Sequence, residues 1–260
     1  MHPKSEARLI VALDVSSAAA AQKIVTALGD SIHIYKVGMQ LYTAEGPQIV
    51  RDLIRSGRQV FLDLKYHDIP NTVASAVREA AQLGVSMLTV HASGGEKMLR
   101  EAAEAAGSHA RAAAGGSGDS ALQILAVTVL TSMDEPELHR SGVGGALLDQ
   151  VLRLASTALG AGCNGIVSSA REVEPLRTKL GRDFLIVTPG VRPAGADHGD
   201  QARVVTPAEA IRAGATHIVV GRPITAAKDP AAAARAIQQE IRAATDEAPK
   251  ASSARLTPAP

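Results

Sequence analysis

"VFLDLKYHDIPNTV" (Val60–Val73) opens as an apolar run of strand length and then sets Asp63, Lys65 and Asp68 within six residues. Ile69 precedes Pro70 and is pushed towards extended backbone, while Pro70 suits the first turn of a helix. The stretch therefore reads as a strand, a charged turn and a helix start. Strand alternation puts Asp63 and Lys65 on one face. Asp68 lies past the strand end and projects outward, where capping or turn formation is an ordinary use for it.

The same unit recurs on both sides. "RLIVALD" (Arg8–Asp14), "HIYKVG" (His33–Gly38), "QVFLDLK" (Gln59–Lys65) and "SMLTVHA" (Ser86–Ala92) each precede a segment of helical spacing. Those segments are Ser17–Leu28, Pro47–Ser56, Asn71–Leu83 and Gly95–Ala106. In the second half, "LQILAVTVLT" (Leu122–Thr131) leads through a short turn to Gly145–Ala161, and "GIVSS" (Gly165–Ser169) to Arg171–Leu180. "FLIVTPG" (Phe184–Gly190) leads to Pro207–Ala213, and "HIVVGR" (His217–Arg222) to Pro230–Ala244. Alternation of this kind implies parallel strands with right-handed crossovers. Eight units in 260 residues favour an α/β fold, a closed (β/α)8 TIM barrel forming a single domain over residues 1–245. A doubly wound open sheet is the competing architecture, but "ALDVSSAAAA" after the first strand holds no G-x-G-x-x-G.

Two stretches fall outside the pattern. The Gly/Ala-rich residues near 107–120 read as a surface insertion between the fourth and fifth units, and residues 246–260 as a disordered tail.

Composition narrows the function. Twenty-seven Lys and Arg balance 26 Asp and Glu, so net charge gives no argument for nucleic acid. With two Phe, three Tyr and no Trp, stacking platforms for single strands are also wanting. A small phosphorylated ligand is compatible with this composition. The single cysteine, Cys163, cannot form an internal disulfide and reads as a small buried hydrophobe. No apolar run reaches the ~18 residues of a membrane span and the N-terminus lacks a signal-peptide pattern, so a cytoplasmic chain without membrane association is expected.

Parallel strands bring their carboxyl ends to one rim, where barrel active sites lie. Asp14, Lys36, Asp63 and Lys65 come from three consecutive strand ends, followed by His91, Thr131, Ser168 and Pro189 from the next four. An alternating Asp-Lys-Asp-Lys array offsets part of the cost of burying each charge. Its carboxylates favour the ammonium form of Lys65, which can stabilise a carbanion and then donate a proton to carbon. A Schiff-base lysine would need the opposite environment. "TPGVRP" and "VVGRPI", after the seventh and eighth strands, each join glycine to arginine, and loops at those places frequently hold phosphate. Arg192, Gly221 and Arg222 are the candidates, with Gln201 in a polar stretch (Ala194–Pro207) long enough to close over a ligand. The eight histidines show no metal-ligand spacing, so no metal is expected.

These residues resemble the bacterial orotidine 5′-monophosphate decarboxylase family from about Arg8 to Ile241. Asp63-x-Lys65-x-x-Asp68-Ile69-Pro70-Asn71-Thr72 is similar to its signature, and "VALD", "KVGMQL", "VHASGG", "LTSM", "TPGVRP", "GDQ" and "VVGRPI" follow in the expected order. The resemblance implies a homodimer that converts orotidine 5′-monophosphate to UMP without metal or organic cofactor. In it Asp63, Lys65 and Lys36 form the catalytic charge array, and Asp68 enters from the partner subunit. Asp14 and the partner-donated Thr72 resemble ribose contacts. Thr131 and Ser168 resemble contacts near the base and the closing loop, and Pro189, Arg192, Gln201, Gly221 and Arg222 match the pyrimidine-side and phosphate grip.

Two rivals share the scaffold. Mg²⁺-dependent sugar-phosphate decarboxylases or synthases of the same superfamily place a glutamate where this chain has Lys36, which removes a metal ligand and adds a cation. A silent nucleotide-binding barrel would keep tight UMP binding without turnover.

Overall fold

The eight apolar runs pair in chain order as a closed parallel barrel, β1 against β2 and so on round to β8 against β1. The strands are β1 (Leu9–Ala12), β2 (Ile34–Gly38), β3 (Gln59–Tyr66), β4 (Met87–His91), β5 (Gln123–Val127), β6 (Gly165–Val167), β7 (Leu185–Thr188) and β8 (His217–Val220). This computed structural model describes residues 8–113, 122–193 and 205–247. Gln201 and the rest of 194–204, residues 114–121 of the expected insertion, and the tail beyond 247 lie outside the described residues.

Alternation along each strand divides the core into two layers. Ile10, Ala12, Ile34, Phe61, Met87, Leu125, Val187 and Val219 fill the inside of the barrel. Leu9, Val11, Val60, Leu62, Leu88, Ile124, Ile166, Ile186 and Ile218 point the other way and pack under the helices. Both faces are covered, which is why the strands read as continuous apolar runs. Gly165 lets β6 and β7 approach closely, since a Cβ there would come within 2.4 Å of the Leu185 carbonyl oxygen.

The helices follow their strands with three local differences. Helical turns over Met39–Glu45 and Glu135–Arg140 occupy stretches that sequence spacing leaves as loop, the second started by Asp134 accepting from the Glu137 N–H. The helix after β4 runs Gly95–Ala113, so part of the expected insertion continues a helix. Ala110, Arg111, Ala112 and Ala113 are good helix formers that carry the helix past Gly107, and the Gly115-Gly116 pair comes only after them. The chain's last described helix spans Pro230–Glu247, slightly beyond its expected end.

Candidate active site

β1, β2 and β3 end side by side, and their registers place Ala12 opposite Lys36 and Gly38 opposite Asp63. The polar side chains that follow the apolar strand bodies therefore meet at the mouth. Lys36 Nζ lies 2.7 Å from Asp14 Oδ1 and 3.8 Å from Asp63 Oδ2, and Lys65 Nζ donates to Asp63 Oδ1 at 2.9 Å. Charges alternate along this chain of contacts, so each ammonium is beside a carboxylate. Asp63 and Lys36 are 14% and 12% exposed at their side chains, whereas Asp14 at 58% is the wet end of the array.

Space for Lys36 comes from Gly38, two residues on and on the same strand face. A Cβ at Gly38 would sit 2.9 Å from Lys36 Nζ. β3 also departs from regular pairing: Leu62 faces Leu88 but Tyr66 faces Val90, so β3 carries extra residues between them. Lys65 sits in this break with φ +52°, which among the described residues no other non-glycine shares in sign. Left-handed backbone costs such a residue roughly 1–2 kcal/mol. The break turns the Lys65 side chain back over Asp63.

The array closes one side of a cavity of about 400 Å³. Phe61, Val127, Val167 and Val219 form apolar lining, and Thr131, Pro189, Arg192, Gly221 and Arg222 also line it. Arg192 is buried, and its backbone N–H donates to the Val205 carbonyl across an isolated parallel bridge between Val191 and Val205. Arg222 begins a short helical turn (Arg222–Thr225) directly after β8. One pocket thus joins a charged wall to two arginines, a combination suited to an anionic, partly apolar ligand.

A sequence model described as "Orotidine 5'-phosphate decarboxylase / HUMPS family" matches residues 7–237. The chain belongs to this orotidine 5′-phosphate decarboxylase / HUMPS family. Orotidine 5′-phosphate decarboxylase of Moorella thermoacetica is 52% identical over 242 residues, 93% of this chain and 94% of that protein. The enzyme of the same name from Halorhodospira halophila is 53% identical over 237 residues, covering 91% and 97%. Among solved structures, orotidine 5′-phosphate decarboxylase from Lactobacillus acidophilus superposes with TM-score 0.79 at 40% identity, covering 90% of this chain and 98% of that one. An uncharacterized conserved protein from Geobacillus kaustophilus gives TM-score 0.78 at 36% identity, covering 90% and 99%.

Within this decarboxylase-family barrel, some expected residues stand away from the cavity. Asp68 and Thr72 are exposed on the rim outside its lining, and Asp68 Oδ1 accepts from the Ile69 N–H at 2.6 Å. Ser168 also stands outside the lining. It is fully buried, Val167 takes the cavity position on β6, and the Ser168 hydroxyl finds no hydrogen-bond partner among the described residues. Consecutive strand residues face opposite sides, so the apolar neighbour rather than the serine reaches the pocket.

Two residues beside the array were less legible. Thr89, fully buried on β4, accepts from the Lys65 N–H at 2.9 Å and donates to Asp63 Oδ1 at 3.0 Å. Its sequence signal is a hydroxyl inside the apolar run "MLTVH", on the strand face of Met87. His91 lies next along that face, with its ring 5.5 Å from that of His67. Burial holds the His91 imidazole below its ordinary range, the His67 and Lys65 charges act the same way, and Asp63 opposes them. His91 therefore stays neutral at pH 7 and adds no cation beside Lys65. Cys163 is buried, and burial pushes its thiol up to about 12, consistent with an inert packing residue. Among the described residues no group of three or more His, Cys, Asp or Glu could hold a metal ion.

Proposed function

We propose that this protein decarboxylates orotidine 5′-monophosphate to UMP in de novo pyrimidine synthesis. The observation that carries the reading is Lys65 Nζ held 2.9 Å from Asp63 in the wall of the mouth cavity, with Lys36 bridging on to Asp14. The substrate's phosphate engages Arg192 and Arg222, with Gln201 assisting, and Pro189, Gly221 and Thr131 bound the pyrimidine. Asp14 meets the ribose.

The bond between pyrimidine carbon 6 and its carboxylate breaks, carbon dioxide departs, and the electron pair stays on carbon 6. Lys65 stabilises that carbanion as it forms and transfers an Nζ proton to it, then regains a proton from solvent. An ammonium already held in place by Asp63 needs little reorganisation at the moment of reaction. Asp63 orients Lys65 through its hydrogen bond, and Lys36 balances the Asp63 charge. The step requires neither metal nor organic cofactor, and Lys36 stands where metal-dependent relatives place a carboxylate ligand.

Asp68 and Thr72 act in the neighbouring subunit of a homodimer. Their exposure on the rim supports this, as do the bare apolar side chains of Ile69 and Met39, 67% and 55% exposed. Among the described residues no helix is long and apolar enough to cross a membrane. The test is to incubate chelator-treated protein with orotidine 5′-monophosphate and follow the orotate absorbance. Loss of that absorbance with formation of UMP is expected; no turnover, or turnover only after Mg²⁺ is restored, contradicts the reading.

A further inference from the structure

The break in the β3–β4 pairing creates two local problems, and one side chain meets both. Four residues of β3 (Leu62 to Tyr66) advance against two of β4 (Leu88 to Val90), which takes the Lys65 N–H away from the regular ladder. Lys65 also holds φ +52°, a conformation that persists only where its surroundings fix it. Thr89 lies opposite the break and is fully buried.

Its hydroxyl accepts from the Lys65 N–H at 2.9 Å and is 3.0 Å from Asp63 Oδ1. A hydroxyl has a single proton, and a backbone N–H can only donate, so the direction of the chain is settled: Lys65 N–H to Thr89 Oγ1, and Thr89 O–H to Asp63. Asp63 Oδ1 also receives Lys65 Nζ at 2.9 Å. The carboxylate is thus turned by two donors on one oxygen, which leaves Oδ2 towards Lys36 at 3.8 Å. Thr89 touches the two ends of the same residue's placement, the backbone of Lys65 directly and its ammonium through Asp63.

We propose that Thr89 is a positioning residue of the decarboxylation site, fixing the left-handed turn at Lys65 and the orientation of Asp63 with one hydroxyl. The inference rests on the functional reading above. Thr89 does not line the cavity, so its removal leaves ligand contacts in place while loosening the proton donor. Misplacing a donor by a fraction of an ångström acts on the chemical step rather than on binding.

Thr89→Val keeps the side-chain shape and deletes the hydroxyl, and Thr89→Ser keeps the hydroxyl and deletes a methyl. Under the proposal Thr89→Val lowers kcat by about tenfold or more with KM changed less than about threefold, and Thr89→Ser stays within about threefold of wild type in both. A residue that merely packs gives the reverse order, with valine active and serine impaired. Wild-type kcat in Thr89→Val, or equal loss in both variants, overturns the proposal. Should Thr89→Val fail to fold, hydrogen exchange on the wild-type protein decides: slow exchange of the Lys65 amide supports the bond to Thr89, and exchange at the rate of an unstructured peptide refutes it. Absence of any turnover by the wild type would instead remove the functional reading, and amide exchange would still report on the bond.

Discussion

At Gly38 the backbone is ordinary, φ −94° and ψ −179°, so alanine meets no conformational barrier there. Its methyl group would nevertheless intrude on Lys36 Nζ, and a flexible ammonium gives way more easily than a strand. Gly38→Ala should therefore fold with nearly unchanged Tm while lowering kcat by about tenfold or more, read by steady-state kinetics beside thermal melting. Arg222→Ala should act differently. Under its proposed phosphate role, loss of its guanidinium should lower kcat/KM by about a hundredfold or more, and addition of guanidinium ion should restore part of it. The charge array was legible in the sequence because two-residue alternation in β3 and the common rim of parallel strands need no further information. Ser168 lies next to the cavity lining rather than in it, because consecutive strand residues face opposite sides. Thr89 stayed hidden because its use depends on a break in pairing that neither strand announces.

Strand ends and helix bodies follow from hydrophobic period, yet the connections at the two ends of the barrel depend on contacts that period does not carry. At the end opposite the cavity, the buried Arg177 guanidinium donates to the carbonyls of Gly214, Arg182 and Phe184 at 3.0, 3.3 and 3.0 Å. It also lies 4.6 Å from the centre of the Phe184 ring. Burial lowers its pKa to about 10, and Arg182 adds to that, so it remains charged at neutral pH. Arg177→Met keeps the packing volume and abandons three carbonyls, a loss of about 2 kcal/mol and a fall in Tm of roughly 4–8 °C with kcat unchanged. In sequence Arg177 is one more charge on a helix, and nothing in its spacing distinguishes it from a solvated one. The short helices Met39–Glu45 and Glu135–Arg140 escaped for a related reason, since a segment of one or two turns is too brief for a helical period to emerge.

For the whole molecule, eight repeats of one unit settle both closure and the placing of the site, and that part of the fold was readable from end to end. Its stability towards acid is less apparent. His217 opens β8 with Nδ1 3.1 Å from Thr216 Oγ1, and burial, with a smaller contribution from Arg8, depresses its pKa to about 4. The unfolded chain thus binds this proton at a higher pH than the folded one. The corresponding stability is fully present above pH ~6.5 and is lost as pH falls towards 4, on the order of 1–2 kcal/mol since part of the residue still meets solvent. Urea unfolding across that range should show the decline, and His217→Gln should flatten it. Assembly makes its own prediction. Mixing inactive Lys65→Ala and Asp68→Ala proteins should restore activity, because each hybrid dimer contains one site with both residues; no recovery despite proven subunit exchange would contradict a shared site.

The most direct measurement is single-turnover conversion of orotidine 5′-monophosphate by the wild type and by Lys65→Ala, with thermal melting to confirm that both are folded. Wild-type protein should yield UMP, and the variant should be slower by at least about a thousandfold. Equal rates in the two proteins would contradict proton delivery by Lys65.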